Sequence, residues 1–192
     1  MEDLLVLSAS PRKGGNSDFA ASLVLEAMGS RGKIIRVADA GVQPCSSCGY
    51  CDRHPGKCAL ASDGADEVFQ AMLASPMTVF VSPVYFYHLP AQAKAFLDRM
   101  QRWWAVPGDR LPGKGRFIAP VLLGARKKGD RLFEGSLLTL KYAADTVGMK
   151  LKEPVLLHGL DAPGDLWMDK AAQAAILAGV EAWQTAMRQG GK

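Results

Sequence analysis

Cys45, Cys48, Cys51 and Cys58 are the only cysteines in the chain, and they fall within fourteen residues as C-x2-C-x2-C-x6-C. Thiols at i, i+3 and i+6 on a short loop that also carries Gly49, Pro55 and Gly56 can converge on one compact centre. Such a run has the ligand spacing of a cubane iron–sulfur cluster, with the four cysteines as its metal ligands. Structural zinc more commonly uses two C-x2-C pairs set apart by a longer stretch. Four ionised thiolates would repel one another, so a bound centre, protonation or disulfides must neutralise them. A cluster moves electrons singly, and a chain that holds one is expected to hold a second redox group.

A second set of residues could hold an anion. The apolar run Leu4–Leu7 ends in Ser8-Ala9-Ser10-Pro11-Arg12-Lys13-Gly14-Gly15-Asn16-Ser17, ahead of a helical stretch. Gly14 and Gly15 let the backbone close around a ligand, while Ser10, Asn16 and Ser17 supply short donors. Arg12 adds a charge-assisted bond, and the free N–H groups of a helix start attract an anion. The plainer alternative is a surface turn with an ordinary Ser/Asn helix cap. Neither G-x-G-x-x-G nor G-x-x-x-x-G-K-[ST] occurs. The loop therefore suits a terminal monophosphate, as in FMN, better than a dinucleotide or ATP.

The third set is Ser82-Pro83-Val84-Tyr85-Phe86-Tyr87-His88-Leu89-Pro90. Three aromatics in a row at a strand end cannot all turn inward, so some should flank a flat ligand. Half-buried capping tyrosines are the alternative. His54, His88 and His158 share no metal-ligand spacing, and no Ser/His/Asp set or obvious catalytic acid or base presents itself.

These loops need a scaffold. Five apolar runs read as strands: Leu4–Leu7, Ile34–Val37, Thr78–Val81, Phe117–Leu123 and Val155–Leu157. Helical stripes lie between them: Phe19, Leu23 and Ala27; Val68 and Met72; Ala93, Phe96, Leu97 and Met100; Phe133, Leu137, Leu140, Ala144 and Val147; Ile176, Val180, Trp183 and Met187. Strands alternating with helices imply βαβ units and a parallel sheet covered on both faces. Five such strands predict an α/β, doubly wound, flavodoxin-like sheet of order 2-1-3-4-5, in one domain spanning 1–192. The cysteines sit in an insertion at 44–62, after the second strand. Trp103 and Trp104 are either core or an apolar oligomer contact.

Taken together, S-x-S-P-R-x-x-G-N-S, P-C-x-x-C-x-x-C-x6-C and S-P-V-Y-F-x-x-x-P-A-Q-x-K-A-F-L-D-R resemble the NADPH-dependent FMN reductase family of flavodoxin-like proteins, in particular its iron–sulfur flavoprotein branch. The resemblance implies non-covalent FMN, its phosphate in the loop of Ser10, Arg12, Gly15, Asn16 and Ser17. Its ring would lie against Pro83, Val84, Tyr85, Phe86 and Tyr87. A [4Fe-4S] cluster on the four cysteines and NAD(P)H as electron donor follow from the same resemblance. So does a homodimer or homotetramer that brings flavin and cluster of neighbouring subunits together. Two features depart from the pattern. Asp63 stands alone where relatives often have two adjacent acids, and Arg126-Lys127-Lys128 replaces a Gly-rich loop, where Arg126 contacts flavin, a nicotinamide phosphate or only solvent.

Composition bounds the rest. With 192 residues, 48% hydrophobic and 22% charged, the chain can build a full core. A net charge of +4 without a dense basic stripe argues against nucleic acid. The acidic start MEDLLVLSAS is unlike an export signal and no window is apolar enough to span a membrane, so a reducing cytoplasm is expected. The expected function is an FMN-binding flavin-dependent oxidoreductase and electron carrier with a cluster as one-electron partner, serving a redox protein or a small-molecule acceptor. The alternatives are an NAD(P)H-dependent FMN or quinone reductase without a cluster, and a thiol or zinc redox sensor.

Overall fold

The apolar runs become strands of one sheet. In the computed structural model, which describes residues 4–29, 32–60 and 62–189, these are β1 (Leu4–Ser8), β2 (Gly32–Arg36), β3 (Met77–Pro83), β4 (Phe117–Leu123), β5 (Lys150–Leu151) and β6 (Val155–Leu157). Ala61 of the expected 44–62 insertion, and Glu2 and Asp3 of the acidic start, lie outside the described residues. All pairings are parallel, in the order β2-β1-β3-β4-β5 with β6 also on β4. This is the flavodoxin-like order expected from the sequence. The helices are α1 (Asn16–Ala27), α2 (Tyr50–Arg53), α3 (Ala65–Ala74), α4 (Ala91–Asp98), α5 (Glu134–Val147), α6 (Asp165–Met168) and α7 (Lys170–Gln189).

Side chains alternate along each strand and both faces are covered, so the central strands are apolar throughout. Leu5 and Leu7 of β1 join a core with Phe69 of α3, Phe96 of α4 and Leu140 of α5. Leu4 and Val6 join the opposite core with Ala20 and Val24 of α1 and Ile176, Val180 and Trp183 of α7. The expected α1 stripe, Phe19, Leu23 and Ala27, is only partly buried. The fully buried face is the adjoining row of Ala20, Ala21 and Val24, small residues that let the helix lie close to the sheet. Phe69 stacks on Phe96 at 4.5 Å and meets Trp103 edge-on at 4.8 Å. Trp103 is therefore core, whereas Trp104 is 73% exposed.

The fifth lane departs from the expected single strand. It comprises β5, which the sequence reading missed, and β6, joined by Lys152–Pro154. Lys152 N–H donates to the Ile118 carbonyl at 2.8 Å. In a parallel ladder the next rung would run from residue 120 back to Lys152, but Pro120 has no N–H. Pairing resumes only at Val121↔Val155, after Ile118↔Leu151, so the fifth lane carries one extra residue. A proline in the neighbouring strand thus sets a bulge.

Phe96→Ala should destabilise the fold by about 3–5 kcal/mol through the cavity left between Phe69 and the sheet. Trp104→Ala should stay within about 0.5 kcal/mol. Urea unfolding of both variants distinguishes the two tryptophan and phenylalanine environments.

Candidate functional site

β1 and β3 are neighbours, yet α1 packs on one face of the sheet and α4 on the other. Their divergence opens a crevice at the strands' carboxyl ends, where such folds place ligands. A cleft of about 100 Å3 lies there, lined by Ser10, Arg12, Gly15, Asn16, Ser17, Pro83, Val84 and Tyr85 with Leu123, Ala125, Leu160 and Asp161. Eight of the ten residues singled out for a cofactor thus share one cleft, and Phe86 and Tyr87 stand outside its lining. Clefts that enclose a whole ligand measure roughly 300–1,000 Å3. This one has room for no more than a phosphoryl-sized group, and Tyr85 stands at its edge.

The loop's donors divide into two kinds. α1 starts from Gly15 with no side-chain cap and the Asp18 N–H donates to the Gly15 carbonyl at 3.1 Å, so the first-turn N–H groups left for the cleft are those of Asn16 and Ser17. Ser10 Oγ instead bonds the backbone of Arg12, accepting from its N–H at 3.2 Å. Asn16, expected to meet the ligand, is engaged elsewhere. Its Nδ2 donates to the Ala162 carbonyl at 2.9 Å, and its Oδ1 accepts from Gly164 and Leu166 N–H, both at 3.2 Å. It ties the phosphate loop to the segment after β6.

Two residues absent from the sequence reading shape this loop. Asp18 accepts from Ser8 Oγ at 2.9 Å and from Gly14 N–H at 2.8 Å. Arg36, at the end of β2, pairs with Asp18 through Nη1 and donates from Nη2 to the Ser10 and Arg12 carbonyls at 3.2 and 3.1 Å. The guanidinium thus engages two carbonyls of the loop and balances the charge of the Asp18 carboxylate.

The aromatic segment forms a two-residue hairpin. Tyr85 and His88 exchange backbone bonds of 2.8 and 2.9 Å, and Phe86 and Tyr87 between them have φ of 51° and 64°. This is a type I′ turn, whose central positions ordinarily take Asn-Gly. Each aromatic held there costs about 1–2 kcal/mol. The hairpin is braced by His88 Nε2 on Thr139 Oγ1 at 2.9 Å and by Arg126 over the Tyr87 ring at 5.5 Å. Gly135 allows the close approach, since a Cβ there would meet the Tyr87 carbonyl at 2.8 Å. Phe86 is left wholly exposed.

All four cysteines line a separate cleft of about 430 Å3, together with Arg99 and Arg102. Its segment is mostly irregular, with α2 as a short helical turn, Tyr50 against His54 at 4.4 Å, and Gly56 N–H on the Arg102 carbonyl at 2.7 Å. Among the described residues, no three His, Cys, Asp or Glu side chains are grouped to hold a metal ion. Burial, the Asp52 carboxylate and the Cys45 and Cys58 sulfurs push the Cys51 thiol up, so the metal-free chain keeps it protonated at neutral pH.

Arg99, 1% exposed, is a buried part of the wall of this cleft. Its Nη1 donates to Asp63 at 2.6 Å and to the Gln43 carbonyl at 3.1 Å, and its Nη2 to the Leu60 carbonyl. Asp63 also accepts from Gln43 N–H at 2.9 Å and Ala65 N–H at 3.1 Å. Burial opposes the charge of Asp63, but these hydrogen bonds outweigh it and hold the carboxyl below its usual range. The lone acid after Cys58 is therefore an anchor inside the protein.

The model of the NADPH-dependent FMN reductase family matches residues 3–150. An iron–sulfur flavoprotein of Methanosarcina thermophila is 35% identical over 166 residues, covering 75% of this chain and 86% of the relative. Another, from Methanocaldococcus jannaschii, is 34% identical over 96 residues, 48% of this chain and 49% of its own. The solved NAD(P)H:quinone oxidoreductase from Methanothermobacter marburgensis shares the fold with a TM-score of 0.69, at 16% identity and 94% coverage of both chains.

Because the folded-state pKa of Asp63 is depressed, its stabilising contribution is present above the unfolded value and lost as pH falls through the folded one. Asp63→Asn should cost about 3–5 kcal/mol at neutral pH by stranding a buried guanidinium. The difference from wild type should shrink as denaturation is followed from about pH 6 to about pH 3.

Proposed function

Because the chain belongs to the NADPH-dependent FMN reductase family, within its iron–sulfur flavoprotein branch, we propose that it is an FMN-carrying oxidoreductase and electron carrier whose cysteine cleft holds a [4Fe-4S] cluster. The observation that carries this reading is the pair of clefts on one scaffold. One offers an uncapped helix start beside Pro83, Val84 and Tyr85, and the other gathers all four cysteines.

The residues fit the groups. Uncapped N–H groups, Ser17 and Arg12 would take the FMN phosphate, and Pro83, Val84 and Tyr85 would support the ring. A cubane distributes its ligand sulfurs over several iron atoms, so it needs a lined cleft rather than convergence on one point. Cys45, Cys48, Cys51 and Cys58 line one cleft and would be its four ligands. When bound, the flavin supplies two-electron hydride chemistry and the cluster one-electron transfer. The chain's own task is to bind, orient and space them.

Spacing favours an assembly. The phosphate and ring cleft precedes α4 and the cysteine cleft borders its far end, at Asp98–Arg102. The eight residues of α4 rise about 12 Å. A homodimer or homotetramer that sets one subunit's flavin beside another's cysteines would shorten that path. NAD(P)H is the donor and a redox protein or small molecule the acceptor in this reading. Among the described residues no helix is long and apolar enough to cross a membrane. The second reading, a cluster-free NAD(P)H-dependent reductase, is favoured by the absence of a ready metal-holding group among the described residues.

Anaerobically purified and reconstituted protein should show both flavin absorption and, after reduction, a cluster resonance in electron paramagnetic resonance. Cys48→Ala should lose the resonance and keep its flavin; a wild type without resonance moves the assignment to the cluster-free reductase. Arg12→Ala should weaken FMN binding about tenfold, the scale of one charge-assisted hydrogen bond, as read by recovery of FMN fluorescence on dilution. Full flavin retention in that variant removes Arg12 from the phosphate site.

A further inference from the structure

Arg36 ends β2 in register with Ser8, which ends β1. Side chains alternate along a strand, so Ser8 shares the face of Leu4 and Val6, the side on which α1 packs. Arg36, its register partner, shares that face and meets Asp18 in the first turn of α1. The bonds divide cleanly over the pair. Asp18 Oδ1 accepts from Ser8 Oγ and Arg36 Nη1, and Oδ2 accepts from Gly14 N–H. Arg36 Nη2 reaches the Ser10 and Arg12 carbonyls, and Nε lies 3.4 Å from Asp39, which also pairs with Lys13 at 3.2 Å. Residues 8, 10, 12 and 14 are thus all held by one ion pair, including Gly14 at its left-handed φ of 68°. Neither Asp18 nor Arg36 lines the cleft.

We propose that Arg36 and Asp18 are positioning residues of the anion loop: by fixing the path of residues 8–14 they set where Arg12 and the Asn16 and Ser17 N–H groups meet a phosphate monoester, and so make the protein select FMN over riboflavin. This rests on the FMN reading above and names the residues that impose its choice of flavin. Charge alone forecasts the opposite for one partner. A carboxylate in the first turn of a helix competes with an incoming anion, so removing its charge would tighten FMN binding. Geometry forecasts weaker binding from the same change. An asparagine at 18 has one oxygen for Ser8 and Arg36, and its amide would face the Gly14 N–H, donor against donor. A lysine at 36 keeps the charge, but its compact ammonium cannot span a carboxylate and two carbonyls from one plane.

Full-length wild type, Arg36→Lys and Asp18→Asn, stripped of flavin, are titrated with FMN and with riboflavin by quenching of flavin fluorescence. Riboflavin carries the same ring without the phosphate, so it reports damage to the fold or to the ring side, and circular dichroism confirms folding. Wild type should bind FMN at least about tenfold tighter than riboflavin, the scale of one charge-assisted hydrogen bond. Each variant should lose FMN affinity by about tenfold and hold riboflavin within about twofold of wild type. Where one variant does not fold, the other decides. Should neither fold, Ser8→Ala removes a single hydroxyl from Asp18 and carries the same test at about threefold. Wild type that binds both flavins equally overturns the phosphate reading and this role with it. Wild type that prefers FMN while the variants keep its full preference overturns the role of Arg36 and Asp18 alone, as does an equal loss of both flavins. Tighter FMN binding by Asp18→Asn leaves only the carboxylate's charge at work and overturns the positioning.

Discussion

A parallel sheet has to be covered on both faces, and the geometry of this protein descends from that requirement. Adjacent strands β1 and β3 send their helices to opposite sides, so their following loops separate instead of packing together. The gap between them is the cleft lined by Ser17, Arg12 and Tyr85. No residue of the cleft causes it; the need to bury Leu4 and Val6 on one side and Leu5 and Leu7 on the other does. The chemistry of Ser17, Arg12 and Tyr85 is placed on a crevice that the hydrophobic effect has already made.

The loops have no continuous apolar stripe with which to dock, and this protein fixes them with arginine–aspartate pairs, of which Arg99–Asp63 is fully buried. Arg36 with Asp18 shapes the phosphate loop, Arg99 with Asp63 the cysteine loop, and Arg102 with Asp66 the surface beneath it. Arg102 also lies over Phe69 and Trp103, at 5.0 and 5.6 Å from their ring centres. Taking such pairs out of water consumes much of their Coulomb energy. Their contribution is geometric: a planar fork with several donors selects one arrangement of carbonyls and rejects the neighbouring registers.

What the sequence made legible was whatever repeats or clusters locally. Strands buried on both faces appear as apolar runs, and Val79 to Val81 or Ile118 to Leu123 can hardly be read otherwise. The cysteines announce themselves by spacing. The rest depends on partners far away in the chain. Asp18 and Arg36 are 18 residues apart, Asp63 and Arg99 are 36, and Asn16 reaches Ala162 across 146. A short polar side chain beside a glycine looks the same whether it awaits a ligand or clamps another loop, so the contacts of Asn16 with Ala162, Gly164 and Leu166 leave no trace in the sequence. Lys150–Leu151 was missed for a related reason: two residues give no periodicity, and their place is set by pairing with Phe117 and Ile118 in another strand. Trp103 and Trp104 are adjacent in sequence but sit in opposite environments, a difference fixed by Phe69.

The hairpin at Tyr85–His88 bears on how the sequence can drift. Its two central positions would be more comfortable as Asn and Gly, and a laboratory selection for heat resistance alone would be expected to move there. It would discard Phe86, which contributes no burial to this chain. Stability and the retained residues pull in opposite directions at this point. A thermostabilised descendant of the protein could therefore keep its core, its sheet and its cysteines intact and still have erased the aromatic face beside its ligand crevice.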